Sequence, residues 1–293
     1  FQAQSFFTGF GQTLANVSLF VFPMIFIGTT GKLPTWVFAS FILGSICSIG
    51  SVWWSSYTTK EIPPTEEELQ KIQSEKVNIF TPFIDIFLAI KEMPKVMWQL
   101  ALVYLFQWYA LFCYWQNSSK SIALSVWNTT PQQNSKLYEE AVGWTGLVNG
   151  WYNIVTFLCA FGLVYFAKKY SPKMVHFACL LLAATGFLIF PHIENKYLLF
   201  PAITGFGIGW ASMMGIPYLM VVNNIPKERY GVYMGIINMM IVIPMFIQTI
   251  TFGYIMKHFL HNDPRLAITF AGVLLVLAAV FTLSISTKKA VNE

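Results

Sequence analysis

The chain has 293 residues, of which 56% are hydrophobic and only 11% charged, with a formal net charge of +5. A water-soluble fold of this size would expose far more charge, so the composition excludes a soluble domain and makes a lipid bilayer the solvent. The excess of positive charge follows from where the lysines lie relative to that bilayer and does not point to a nucleic-acid partner.

Eight stretches carry no Asp, Glu, Lys or Arg: 5–28, 34–57, 96–118, 143–167, 174–191, 197–222, 230–256 and 266–286. Each is close to the roughly 20 residues that a helix needs to cross about 30 Å of hydrocarbon. The fold class predicted is therefore all-α, a polytopic membrane helical bundle of eight transmembrane helices. The chain opens Phe1-Gln2-Ala3-Gln4, with no initiator Met, basic region or cleavage site before the first stretch. It reads as a fragment, with further helices expected upstream.

The first stretch aligns Thr8, Gln12 and Asn16 on one face. After the second comes the longest connection, 58–95. Its Glu61-Ile62-Pro63-Pro64 excludes helix, and Thr65-Glu66-Glu67-Glu68 offers a capping box for a short polar helix through Lys76. From Phe80 to Met93, the residues Phe80, Phe83, Ile84, Phe87, Leu88 and Lys91 recur at helical spacing. That pattern predicts an amphipathic helix along the inner membrane face.

The third stretch is the richest in polar and aromatic side chains. Tyr104, Gln107, Trp108, Leu111, Tyr114 and Trp115 recur every three or four residues. An outer connection is expected over 117–142, and its sequons at Asn117 and Asn128 are given no role. The fourth stretch adds Asn149, Tyr152 and Asn153. Glycines at four-residue spacing, Gly205 and Gly209 in the sixth stretch and Gly231 and Gly235 in the seventh, predict close helix packing. The seventh also carries Asn238 and Gln248, with Pro244 between them as an expected kink.

Lysine and arginine sort by side. The 58–95 connection, the segments near 168–173 and 227–229 and the tail hold 12 of them, against 6 on the other side. The positive-inside bias places the 58–95 loop and the C-terminus in the cytoplasm.

Polar groups inside a span cost several kcal/mol unless they find partners, so they face the bundle interior or an aqueous path. Aromatic rings with neutral amides suit a sugar: pyranose rings stack on aromatics, and amides meet hydroxyls as donor or acceptor. The same residues also serve as membrane-interface belts and interhelical ties. Trp36, Trp53, Trp54 and Trp144, near span ends, read as belt residues. The spans hold no acid, and their single histidine, His176, is near an end. Proton coupling through an intramembrane carboxylate is therefore absent here or lies upstream. The cysteines, Cys47, Cys113, Cys159 and Cys179, form no CxxC pair and read as packed thiols. His258 and His261 lack companion ligands. Neither a nucleophile–base pair nor a P-loop nor HExxH occurs, so no catalytic residues, cofactor or metal are expected, and the chain is read as a non-enzyme.

Pro226-Lys-Glu-Arg-Tyr-Gly-Val-Tyr-Met-Gly-Ile-Ile-Asn-Met-Met-Ile-Val-Ile-Pro244 is the most distinctive run. It resembles the segment entering the eleventh helix of major facilitator transporters, and within them the sucrose/maltose symporters of the glycoside–pentoside–hexuronide type. Gly209-Trp210-Ala211-Ser212, Pro217-Tyr218 and Gln107-Trp108 share that likeness. The resemblance implies helices five to twelve of a twelve-helix major facilitator fold. Residues 1–57 would then be the last two helices of the N-terminal half, 58–95 the cytoplasmic loop between halves, 96–287 the C-terminal six-helix half and 288–293 a cytoplasmic tail. Helices one to four of the same chain would be missing, and with them the coupling acid. In a family gate loop, 167–173 would carry an acid; here it is Ala167-Lys168-Lys169-Tyr170-Ser171-Pro172-Lys173.

The function implied is secondary active transport of a disaccharide or glycoside by alternating access, coupled to protons, in a cell (inner) membrane. The substrate-binding residues expected are Gln107, Trp108, Asn149, Tyr152, Asn153 and Asn238. A facilitator or exchanger of another polar solute is the alternative within transport. A membrane sensor or structural subunit, its polar residues serving packing only, is the alternative outside it.

Overall fold

A computed structural model describes residues 2–26, 28–30, 33–59, 63, 65–66, 69–70, 81–226 and 229–286. The capping-box segment through Lys76 and the tail 288–293 lie outside them or nearly so. Ten α-helices are described: α1 (Gln2–Ile25), α2 (Thr35–Thr58), α3 (Thr81–Lys91), α4 (Lys95–Val126), α5 (Ser135–Lys169), α6 (Pro172–Ile189), α7 (Leu199–Met213), α8 (Ile216–Val221), α9 (Tyr230–His258) and α10 (Pro264–Thr282). Seven helical segments are long and apolar enough to cross a membrane; the apolar part of α1, Gly11–Ile25, is shorter. The protein is a helical membrane bundle, as predicted. Its described strands are one two-residue antiparallel pair, Thr29–Thr30 with Leu33–Pro34.

The chain divides into two compact units, residues 1–20 with 93–293, and residues 21–92. In the smaller unit, α2 buries none of its side chains; Phe41, Ile46, Trp53 and Tyr57 are all exposed. Such a surface needs apolar surroundings, hydrocarbon or further helices. The amphipathic segment is helical over α3, with Ile84, Phe87 and Leu88 exposed.

In the larger unit, helix ends follow local chemistry. The Asn134 side chain accepts from Leu137 N–H (3.1 Å) and starts α5; Asp263 accepts from Arg265 N–H (2.8 Å) and starts α10. These caps satisfy amides that a first turn leaves open. Pro172 and Pro264 open α6 and α10, where a missing N–H costs nothing. α4 packs on α10 and α9, α6 on α7 and α10, and α5 on α7.

Long-range bonds fix which ends meet. At one end, the Gln99 amide reaches the Ser284 carbonyl (2.7 Å) and Lys173 Nζ the Ile285 carbonyl (3.1 Å), tying the starts of α4 and α6 to the end of α10. At the other end, Ser125 Oγ donates to the Pro191 carbonyl (2.9 Å) and Trp144 Nε1 to the Lys196 carbonyl (3.1 Å). Helices α4 to α7 therefore alternate in direction, and α10 runs opposite to α4 and α6.

Several expectations need correction. The connection predicted over 117–142 is helical at both its ends: α4 continues to Val126, and the loop is only 127–134. Asn117 is buried, with its amide donating to the Cys113 carbonyl (2.9 Å), so local helix hydrogen bonding outweighed the polar Asn-Ser-Ser composition. The sixth span is not one helix, since α7 ends at Met213 and α8 begins at Ile216. Pro244, where a kink is expected, lies inside α9. Of the glycine pairs, Gly209 does pack closely, its added Cβ falling 2.7 Å from Ala183 Cβ, and Gly205 abuts the Leu182 carbonyl. Gly231 and Gly235 do not: an added Cβ would have nothing within 4 Å, because that part of α9 turns them away from any described neighbour.

Candidate functional site

The third-stretch pattern becomes two stripes on α4. One carries Tyr104, Trp108, Leu111 and Trp115; the other carries Gln107 and Tyr114, two turns apart. The Tyr114 hydroxyl donates to Asn149 Oδ1 (2.8 Å), joining α4 to α5. Asn153 Nδ2 donates to the Asn149 carbonyl one turn back (2.8 Å). Tyr152 is buried with its ring centroid 4.6 Å from Phe206 of α7. The close approach of α5 to α7 depends on Gly207: a Cβ there would lie 2.6 Å from the Tyr152 carbonyl and 2.8 Å from Val155 Cβ. The Thr156 hydroxyl, 3.0 Å from the Gly207 carbonyl, ties the same junction.

An aromatic cluster results. The Trp210 ring centroid is 5.8 Å from Trp108 and 5.5 Å from Trp115, both edge-on. Tyr114 stacks on Phe187 at 4.5 Å and leans on Phe206 at 5.3 Å. α1 touches α5 at Gly150, where a Cβ would meet Val17 at 3.6 Å and Asn16 at 3.9 Å.

The polar atoms in this region are poorly satisfied. Both amide atoms of Gln107, Nε1 of Trp108 and of Trp210, Oδ1 of Asn153 and the Tyr104 hydroxyl are buried with no hydrogen-bond partner among the described residues. Each such group costs about 1–3 kcal/mol. Buried polar groups normally find partners, so several orphans in one neighbourhood require an explanation. They include both donors and acceptors, and Trp108 and Trp210 meet edge-on among them.

Five of the six candidate residues lie on α4 and α5, and Asn149, Tyr152 and Asn153 form one turn of α5 facing the α4 and α7 aromatics. Asn238 is apart: it is on α9 and exposed, and no described hydrogen bond or ring contact joins it to the others. Its helix is linked to α4 lower down instead. Gln248 Nε2 donates to Gln116 Oε1 (3.1 Å), and the Tyr109 and Thr251 hydroxyls are 2.8 Å apart. The residue that sequence reasoning left out is Trp210. Its signal was position, an indole near the middle of a span, away from the ends where belts form. His176, fully buried, pairs Nδ1 with Ser212 Oγ at 2.8 Å and stands apart from the cluster's contacts. No group of three or more potential metal ligands occurs among the described residues.

The sequence matches the Major Facilitator Superfamily over residues 2–249, and the chain belongs to that superfamily. It is thus an integral, multi-pass membrane transporter for small molecules. Comparison with curated proteins and with solved structures produced no match.

Proposed function

We propose that the protein is a secondary active transporter of a sugar, a disaccharide or related glycoside, working by alternating access and coupled to protons. The observation that carries the substrate class is the set of unpartnered Gln107, Trp108, Trp210 and Asn153 atoms beside an aromatic cluster. Sugar hydroxyls satisfy donors and acceptors alike, and ring C–H faces cover aromatics. Alternating access about a midplane site suits paired helical halves. On this reading the eight predicted spans are helices five to twelve, and the proton-coupling acid belongs to helices one to four. The binding residues are Gln107, Trp108, Asn149, Tyr152, Asn153 and Asn238.

The absence of any carboxylate from the eight predicted spans favours a second reading, an uncoupled facilitator. Uptake of labelled disaccharides into vesicles holding the full-length protein, with and without an imposed pH gradient, tests both. Accumulation that follows the gradient supports symport; equilibration unaffected by it supports a facilitator; no sugar movement refutes both. The cytoplasmic assignment of the C-terminus and the 58–95 loop rests on the lysine bias. A cysteine at Gln133 should react with an impermeant thiol reagent in intact cells and one at Ser74 should not; the reverse result inverts the topology.

A further inference from the structure

A groove of about 690 Å³ lies far from the amide cluster in chemistry. It runs between the second half of α5 and the first half of α6, with Ile208 of α7 beside it. Cys159, Gly162, Leu163, Phe166 and Tyr170 supply one helical stripe, and Met174, Val175, Ala178 and Cys179 the other. The lining is almost wholly apolar, and its volume is in the range of about 300–1,000 Å³ usual for ligand pockets. Phe166, Tyr170 and Met174 are exposed, so the groove opens on the outer surface of the helices.

Its end is not apolar. Lys169 Nζ stands 5.4 Å from the ring centroid of Tyr170, which lines the groove, and 5.9 Å from that of Tyr165. Lys169 is exposed and makes no ion pair among the described residues. Neither Asp nor Glu occurs in the chain between Glu140 and Glu194, so the second half of α5, α6 and their junction bring no negative charge of their own. The neighbouring Lys173 is already engaged, its ammonium donating to the Leu283 and Ile285 carbonyls. Lys169 thus offers a cation, without an ion pair among the described residues, at the mouth of a long apolar trough on the outer surface of the helices.

We propose that this groove binds an anionic phospholipid, with an acyl chain along Gly162, Phe166 and Ala178 and the headgroup phosphate on Lys169. Two features select this occupant: an apolar lining that matches hydrocarbon, and the Lys169 charge at the helix ends, where headgroups lie. The tyrosine rings beneath the ammonium hold it at that depth by cation–π contact.

The test uses the full chain purified in detergent and exchanged with a mixture of phosphatidylglycerol and phosphatidylcholine of identical acyl chains. Retained lipid is read by native mass spectrometry. The expected result is preferential retention of phosphatidylglycerol. Lys169→Gln should cut that preference about fivefold, the contribution of one lysine near an anionic headgroup, while phosphatidylcholine retention is unchanged. Gly162→Phe should reduce retention of both lipids, because a side chain there grows into the groove, and an added Cβ meets only Phe166 at 3.8 Å. Ala178→Leu, on the facing helix, is an independent block should Gly162→Phe fail to fold. Equal retention of the two lipids by the unaltered chain would overturn the headgroup assignment. Retention insensitive to both blocking substitutions would overturn the site.

Discussion

Two aromatic clusters in this bundle are built from the same residue types and end in opposite states. At one end of the helices, Trp127, Trp144, Tyr197 and Phe200 surround Lys196, whose ammonium is 4.6 Å from the Trp144 ring centroid. There Trp144 Nε1 donates to the Lys196 carbonyl (3.1 Å), and nearby Trp151 Nε1 to Thr204 Oγ1 (2.9 Å). In the central cluster, Trp108 and Trp210 are almost fully buried, and neither indole N–H has a partner among the described residues. The end cluster is arranged for stability. The central one leaves donors and acceptors open at a cost in stability, which is typical of functional sites.

The largest effect expected on this contrast comes from Gly207→Leu. The new side chain would drive α5 away from α7 beneath the central cluster, with overpacking costing about 1–3 kcal/mol or more. Folded protein recovered by size exclusion and thermal unfolding should fall sharply. Normal recovery and stability would show that the two helices need not meet there.

Next come Trp108→Ala, Asn149→Ala and Asn153→Ala in the full-length transporter. Each should weaken apparent substrate affinity by about 5- to 150-fold, the equivalent of about 1–3 kcal/mol for a lost contact in a dry site, at normal surface abundance. Val273 and Leu277, exposed on α10, serve as silent controls. Normal affinity at normal abundance would mean that the cluster only packs helices.

A matched pair sharpens the comparison further. Trp144→Phe removes a formed hydrogen bond and should lower stability by about 1 kcal/mol without touching affinity. Trp108→Phe removes an N–H, and Gln107→Leu an amide, that bond nothing among the described residues. Both should leave unliganded stability unchanged or raised, while affinity falls. Equal destabilisation by all three would erase the difference between the clusters.

The smallest effect concerns Asp263 at the start of α10. Partial burial pushes its carboxyl up, but the Arg265 side chain and the first-turn amides outweigh this and hold it below the usual carboxylate range. A depressed carboxyl contributes stability that is fully present above the unfolded value of about 4 and lost as pH falls through the folded value. The stability gap between the unaltered chain and Asp263→Asn should therefore be constant from about pH 7 to 5 and shrink below about 4. A gap that widened on acidification would contradict the pairing.

Much of the fold was legible before any coordinates. Spans could be read because a bilayer forbids charge over some twenty residues, whereas the Asn134 and Asp263 caps that start α5 and α10 emerged only in the structure. The run Asn149, Tyr152, Asn153 was legible as one face, since three and four residues bring side chains together on any helix. The extent of α4 was misjudged at Asn117-Ser118-Ser119, where polar composition suggested a loop but the helix continued. Trp210 went unselected because its mid-span position was its one signal and a packing indole can hold the same place; its contacts with Trp108 and Trp115 set it apart.

By itself, then, the sequence determined the solvent, the helices, their alternation and the polar face of α5, because each follows from hydrophobic length, charge placement or helical period. Only tertiary structure decided which polar atoms would be answered. Tyr114 meets Asn149 across 35 positions and Gln248 meets Gln116 across 132, whereas Gln107 and Trp108 meet no described partner. Those outcomes depend on how close Gly207 lets α5 come to α7 and on which helix faces α4. Local periodicity carries no information about either.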